Sequence, residues 1–244
     1  MIFRNTAGVN RHFGSKLLNK LVIPLLALIA LSGLFVTPVS AQSVRPERAV
    51  GYYTQNGQTF WLTPGKNVTV FPPGTSPSDI EAMFPMSPSA EKAIIHQIPP
   101  CPVVVDGVKY DAKDISLFDG VRLRFITGKD GALYAFTTAR GLEQFQQSGT
   151  GVIGQSISDS IFYKDWLFGG DRFSLSPGCG FQDLSQIGFD NCISSVQVGA
   201  SSWAYLFDYA YYAGDYFAMQ PGSNHSALTF EGWNDRATSV YVSQ

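Results

Sequence analysis

Asp190-Asn191-Cys192-Ile193-Ser194-Ser195 and, 44 positions later, Asn234-Asp235-Arg236-Ala237-Thr238-Ser239 are the stretches on which the reading of this chain turns. Each sets a pair of acid or amide side chains two residues ahead of a pair of hydroxyls. Shifting residues 163–198 by 44 onto 207–242 aligns them without a gap and yields ten identities in 36 positions. Gly170 falls on Gly214, Asp171 on Asp215, Phe173 on Phe217, Pro177-Gly178 on Pro221-Gly222 and Gly188 on Gly232. Matches at glycine and proline imply that one backbone is built twice, since those residues suit particular main-chain torsions. Two copies are too few for a solenoid, which needs roughly three or more. They suit a pair of motifs packed face to face as a sandwich.

Ahead of each hexapeptide stands a second repeated feature, an aromatic, a second aromatic five residues on, and a glycine two beyond that. The copies read Tyr163…Phe168-Gly169-Gly170 and Phe207…Tyr212-Ala213-Gly214. Two aromatics at that spacing can pack over a folded-back hairpin, with the glycine supplying the positive φ of its corner.

With both features present twice in one register, residues 158–244 resemble the βγ-crystallin family. Its microbial members carry the pattern [N/D]-[N/D]-x-x-[S/T]-S once per Greek key and bind calcium with it. The resemblance implies an all-β double Greek-key sandwich of two motifs, 158–201 and 202–244, holding two Ca²⁺ ions. It implies metal ligands among Asp190, Asn191, Ser194, Asn234, Asp235 and Thr238, with Ser194 and Thr238 reaching across to the partner motif's ion. Backbone carbonyls near Lys164 and Asp208 would complete the shells.

The residues support that chemistry independently. Ca²⁺ takes about six to eight oxygen ligands, and carboxylates, amides, hydroxyls and carbonyls supply them. Neither copy offers the imidazole or thiolate cluster that zinc or copper prefers. Each hexapeptide holds one carboxylate, Asp190 or Asp235, which implies modest affinity suited to extracellular, roughly millimolar calcium. Arg236 sets a positive charge beside the second site and Cys192 a thiol in the first.

Charge and targeting signals agree. Arg4, Arg11, Lys16 and Lys20 form a basic leader, with no Asp or Glu before Glu47. A 16-residue apolar run, Leu21–Val36, follows, then Val39 and Ala41 as small residues at a cleavage site. This reads as a signal peptide over 1–41 and a secreted, extracellular product. Without it, 13 Lys and Arg face 19 Asp and Glu, a net charge of −6. Residues 158–244 hold nine acids and three bases, whereas 42–157 hold ten of each. That balance argues against nucleic acid and, after signal cleavage, against a membrane, since both are bound through positive surface.

Residues 42–148 read as a small α+β domain without a recognised family, followed by a linker over 149–157. Strands are expected at Ala49–Tyr53, Thr59–Leu62 and Val68–Phe71, around the Asn56-Gly57 and Pro64-Gly65 turns. One helix is expected over Ser89–Gln97 with Ser89 as N-cap. A hairpin pairs Val121–Thr127 with Ala132–Phe136, and a helix capped by Thr137 or Thr138 runs through Gln147. Of the three cysteines, Cys179 and Cys192 lie 13 apart and flank one loop, the first choice for a disulfide among three connectivities, leaving Cys101 odd.

No catalytic residue is assigned. His96 and His225 are the two histidines after the leader and sit far apart in sequence. The expected function is therefore a secreted, non-enzymatic, structural or stabilising calcium-binding protein. Two rivals stand beside it. One is a secreted proteinase inhibitor or antimicrobial effector of the same fold. The other is a protein whose N-terminal half binds an extracellular protein or a cell-wall polysaccharide.

Overall fold

In the computed structural model, residues 44–65, 67–149 and 157–244 are described. The expected leader, and 150–156 of the expected linker, lie outside the described residues. The chain opens with a hairpin, β1 (Gly51–Gln55) and β2 (Gln58–Leu62), paired from Gly51 opposite Leu62 to Gln55 opposite Gln58. Its two-residue turn is Asn56-Gly57, both at positive φ (51° and 74°), the twist that matches the flanking strands. Strand β3 (Val68–Val70) follows.

Two short helices come next, not one. Helix α1 (Pro77–Met83) is set by Ser76 and Asp79, which cap each other's backbone amides, with Pro77 in the first turn. Helix α2 (Pro88–Lys92) takes Ser87 as N-cap, its hydroxyl accepting from the Ala90 amide. The expected helix Ser89–Gln97 is thus corrected at both ends. Pro88 fits the first turn behind Ser87, and beyond Ala93 the chain leaves the helix to bury Ile94 and His96.

Strands β4 (Val103–Val105) and β5 (Val108–Tyr110) turn through Asp106-Gly107. The expected later hairpin forms as β6 (Arg124–Thr127) and β7 (Leu133–Phe136). Arg122 and Arg124, which alternate with apolar residues, are both buried rather than solvated. Arg122 donates to the carbonyls of Gly214 and Tyr212, and Arg124 donates to both carboxylate oxygens of Glu81 at 2.7 Å. Helix α3 (Ala139–Ser148) starts at Thr138, whose hydroxyl accepts from the Gly141 amide at 3.1 Å.

The repeated region supplies eight strands, four from each copy. The first copy contributes β8 (Ser160–Tyr163), β9 (Arg172–Leu175), β10 (Cys179–Phe181) and β11 (Ser195–Gln197). The second contributes β12 (Ala204–Tyr209), β13 (Ala213–Met219), β14 (Asn224–His225) and β15 (Ser239–Val242). Each copy lends its third strand to the other: β14 pairs with β11, and β10 with β15. This exchange ties the copies together, and the expected paired β-units are present.

Residues 44–149 do not form a separate second core. Their strands extend both sheets, β1 on β9, β3 on β10 and β6 in parallel on β13. The result is a six-stranded sheet, β14-β11-β8-β9-β1-β2, and a nine-stranded sheet, β3-β10-β15-β12-β13-β6-β7-β4-β5. The chain from Ser43 to Gln244 is one compact unit, so the boundary expected at 149–157 does not divide the fold. The physical reason is that β9, β10 and β13 present open edges, which a neighbouring segment satisfies by pairing.

The aromatic run of the second copy has the same explanation. Leu206, Phe217 and Val240 point into the core between the sheets. Their alternating neighbours Tyr205, Phe207, Tyr216 and Tyr241 form a second buried cluster with Ile80 of α1 and Leu142 of α3. The N-terminal helices thus cover the outer face of the nine-stranded sheet. Each large side chain buried there contributes about 1.5–3 kcal/mol, and Tyr241 donates its hydroxyl to the Thr75 carbonyl at 3.0 Å.

Candidate metal centre

Each copy folds its first hairpin back over an aromatic pair. Tyr163 and Phe168 meet edge to face at 5.7 Å, and Phe207 and Tyr212 at 5.6 Å. The corners are strained: Leu167 and Phe168 have φ of 54° and 62°, Tyr211 and Tyr212 of 59° and 58°. Gly170 and Gly214 continue the corner at φ 72° and 74°, and a Cβ on Gly214 would strike the Asp208 carboxylate.

The last serine of each hexapeptide holds its corner in place. Ser195 Oγ donates to the Asp165 carbonyl at 2.6 Å and accepts from the Phe168 amide at 3.0 Å. Ser239 Oγ donates to the Tyr209 carbonyl at 2.7 Å and accepts from the Tyr212 amide at 3.0 Å. Ser195 and Ser239 thus each brace a hairpin, while the Ser194 hydroxyl faces the opposite loop.

The two hexapeptide loops lie against each other. The Asn191 amide donates to Ala237 O at 2.9 Å and the Asp235 amide to Ile193 O at 3.0 Å, with Asn191 and Asp235 at φ 49° and 52°. The first-hairpin backbones join them, because the Ser194 amide donates to Tyr163 O and the Thr238 amide to Phe207 O. Lys164 and Asp208 are the next residues in those hairpins.

In one half, Ser194 Oγ donates to Asp235 Oδ1 at 2.9 Å. Asn234 Nδ2 donates to Asp235 Oδ2 at 2.7 Å, and Asn234 Oδ1 accepts from Trp166 Nε1 at 2.8 Å. Hydroxyl and carboxylate oxygens thus meet from the two copies, donors suited to a hard divalent cation, while the Asn234 amide nitrogen holds the carboxylate. Among the described residues no group of three or more His, Cys, Asp and Glu gathers as a metal cluster, so such a site depends on hydroxyl, amide and carbonyl oxygens.

The other half differs in charge. Asn191 stands where the first half has Asp235, and Thr238 where it has Ser194. The nearby acids face an arginine: Arg236 Nη2 lies 2.8 Å from Asp208 Oδ2 and 2.9 Å from Asp215 Oδ2, with its guanidinium 4.3 Å over Trp233. Burial pushes the Asp208 carboxyl up to about 6, against the pull of Arg236. A fixed positive charge thus already pairs with two of the acids beside this half.

No family model matches the chain. Over 93 residues, 38% of this chain and 89% of the relative, it is 29% identical to Spherulin-3A of Physarum polycephalum. Over 80 residues, 33% of this chain and 92% of the relative, it is 29% identical to a beta/gamma-crystallin of Ciona intestinalis. The solved Spherulin 3A structure from Physarum polycephalum aligns with 38% of this chain and 91% of that one, at 26% identity and a TM-score of 0.32. Part of the chain is similar to βγ-crystallin-type proteins.

Within the repeated region and before it, the structure corrects the cysteine reading. Cys101, Cys179 and Cys192 are all free. Cys179 is buried on β10, packed in the core between the sheets, while Cys192 Sγ lies 3.0 Å from the Asp190 carbonyl in the motif loop. Asp190 itself keeps one buried oxygen, Oδ1, without a hydrogen-bond partner.

Sequence reasoning did not find what the N-terminal half does to the second copy. His96 lies 3.2 Å from both Asp119 Oδ1 and Asp215 Oδ2, and the Leu123 amide donates to Asp215 Oδ1 at 2.7 Å. With Arg122 on the Gly214 carbonyl, the second corner is clamped from outside. The first corner leaves Trp166 and Leu167 exposed. Only a buried, alternating arginine pair hinted at this, and alternation reads equally well as a solvated face.

Proposed function

We propose that this is a secreted, non-enzymatic calcium-binding βγ-crystallin-type protein with a structural, stabilising role, in which the Ser194–Asp235 half holds the stronger of two Ca²⁺ sites. The observation that carries this reading is the 2.9 Å approach of Ser194 Oγ to Asp235 Oδ1 between copies. An ion there would be held by the Asp235 carboxylate, the Ser194 hydroxyl and carbonyls near Lys164, with Asn234 orienting the carboxylate. The weaker site would use Asn191, Thr238, carbonyls near Asp208 and the Asp190 carboxylate. Bound calcium would supply a double positive charge between the two loops. The protein's own residues do the rest: Ser195 and Ser239 fix the hairpins, and the Asn191–Ala237 and Asp235–Ile193 bonds hold the loops in register.

The basic leader and acidic C-terminal third support an extracellular setting. An ion that binds the folded state alone adds RT ln(1 + [Ca²⁺]/Kd) to stability, about 2.7 kcal/mol at a hundredfold excess over Kd. Calorimetric titration with Ca²⁺, combined with thermal melts before and after chelation, tests the proposal. Saturable binding with a raised melting temperature is expected; a melting temperature indifferent to chelator would overturn it.

A further inference from the structure

One groove in the molecule is built jointly by the two halves of the chain and plays no part in the calcium reading. It consists of two adjoining cavities of about 390 and 320 Å³ that share Gly128, Lys129 and Gln220 as walls. The β6–β7 turn and α3 line one side, and residues of the second crystallin copy the other.

The larger cavity carries three aromatic side chains, Tyr134, Phe145 and Trp203. Tyr134 and Phe145 lie 4.8 Å apart with their planes inclined at 37°, a fixed apolar surface. Around it stand polar groups already oriented by neighbours. Tyr134 donates its hydroxyl to Asp130 Oδ2 at 2.8 Å, Gln146 Nε2 donates to Tyr205 Oη at 3.3 Å, and Gln220 Nε2 donates to Thr127 O at 3.2 Å. Each glutamine keeps a carbonyl oxygen able to accept from a ligand hydroxyl. In the smaller cavity, His225 is held by Glu231 at 3.0 Å and by Ser223 at 3.1 Å.

We propose that this groove binds a neutral oligosaccharide. A sugar ring presents an apolar C–H face and a rim of hydroxyls, which the aromatic surface and the amide, carboxylate and imidazole groups complement. One carboxylate and one ammonium, Asp130 and Lys129, leave the groove without the net charge that an anionic or cationic ligand would call for. Because one wall comes from residues 126–149, the site explains what the N-terminal half adds to the crystallin copies.

The full chain, in excess chelator so that calcium plays no part, is titrated with chitotetraose and with cellotetraose by calorimetry and tryptophan fluorescence. Saturable binding of at least one, with fluorescence change, is expected. Trp203→Ala should weaken it at least tenfold, and Gln220→Ala, a milder change, about three- to tenfold. Trp61→Phe, on the distant β2, should leave it unchanged. If neither sugar binds at millimolar concentration, or if binding survives both Trp203→Ala and Gln220→Ala in folded protein, the proposal fails. That failure would leave the calcium reading standing.

Discussion

Ser194 and Asp235 stand on different copies of the repeat, and the Ser194 hydroxyl donates to Asp235 Oδ1 at 2.9 Å. The matching pair in the other half is Thr238 and Asn191. Under the proposed calcium binding, the charge at this second position would distinguish the two sites. Asp235 carries a carboxylate and Asn191 does not.

Asp235→Asn should therefore weaken the tighter calcium-binding event about tenfold or more, since affinity follows the number of charged oxygens. Asn191→Ala should change that event little. Paired calorimetric titrations decide between this and symmetric sites, for which both variants would lose affinity equally.

Ser195→Ala and Ser239→Ala each remove a hydroxyl that makes two hydrogen bonds at a strained corner. A loss of about 1–3 kcal/mol is expected for each in urea denaturation without calcium. Values near zero would mean that the aromatic pair alone holds the hairpin.

Arg236→Met leaves the Asp208 and Asp215 carboxylates facing each other without their cation. Breaking a buried ion pair from one side costs about 3–5 kcal/mol, so the variant should be strongly destabilised at neutral pH and partly recovered in mild acid, where carboxyls protonate. Equal stability to the parent across pH 5–8 would refute the assigned role.

His96 carries a pH dependence of its own. Burial pulls its pKa down, but Asp215 and Asp119 outweigh that, and the net shift is upward. A histidine with a raised folded pKa stabilises most below its unfolded value, near 6.5, and loses that contribution as pH rises through the folded value. Stability should fall from about pH 6.5 upward, and His96→Gln should flatten the slope. A slope that persists in the variant would place its origin elsewhere.

Because all three cysteines are free, reductant should leave the melting temperature unchanged. Burial pushes the Cys179 thiol up to about 11, so alkylation of the folded protein at pH 8 should mark Cys192 well before Cys179. Mass mapping reads this directly. A peptide linking Cys179 to Cys192 would contradict it.

Much of the repeated region was legible in the sequence because its signals are local. Gly170 and Gly214 mark positive φ, the Tyr163–Phe168 and Phe207–Tyr212 spacings mark the folded corners, and the doubled hexapeptide marks the facing loops. Helix α1 was missed although Ser76, Pro77 and Asp79 spell a capped start, because its seven residues, about two turns, bury only Pro77 and Ile80 and give little periodicity. The placement of α2 was missed because Ile94 and His96 are drawn out of the helical pattern by burial against distant residues.

The sequence alone determined the duplicated β-unit, the paired oxygen-rich loops and the acidic balance of the C-terminal third, since each is written in residues close along the chain. Only the tertiary structure decided that residues 44–149 join both sheets instead of standing apart, and that Arg236 pairs with Asp208 and Asp215. Only it decided, too, that the cysteines stay unpaired and that an aromatic groove opens at the seam. Edge pairing, buried charge and cavity shape arise from groups far apart in sequence, and their free energies exist only once the chain has brought them together.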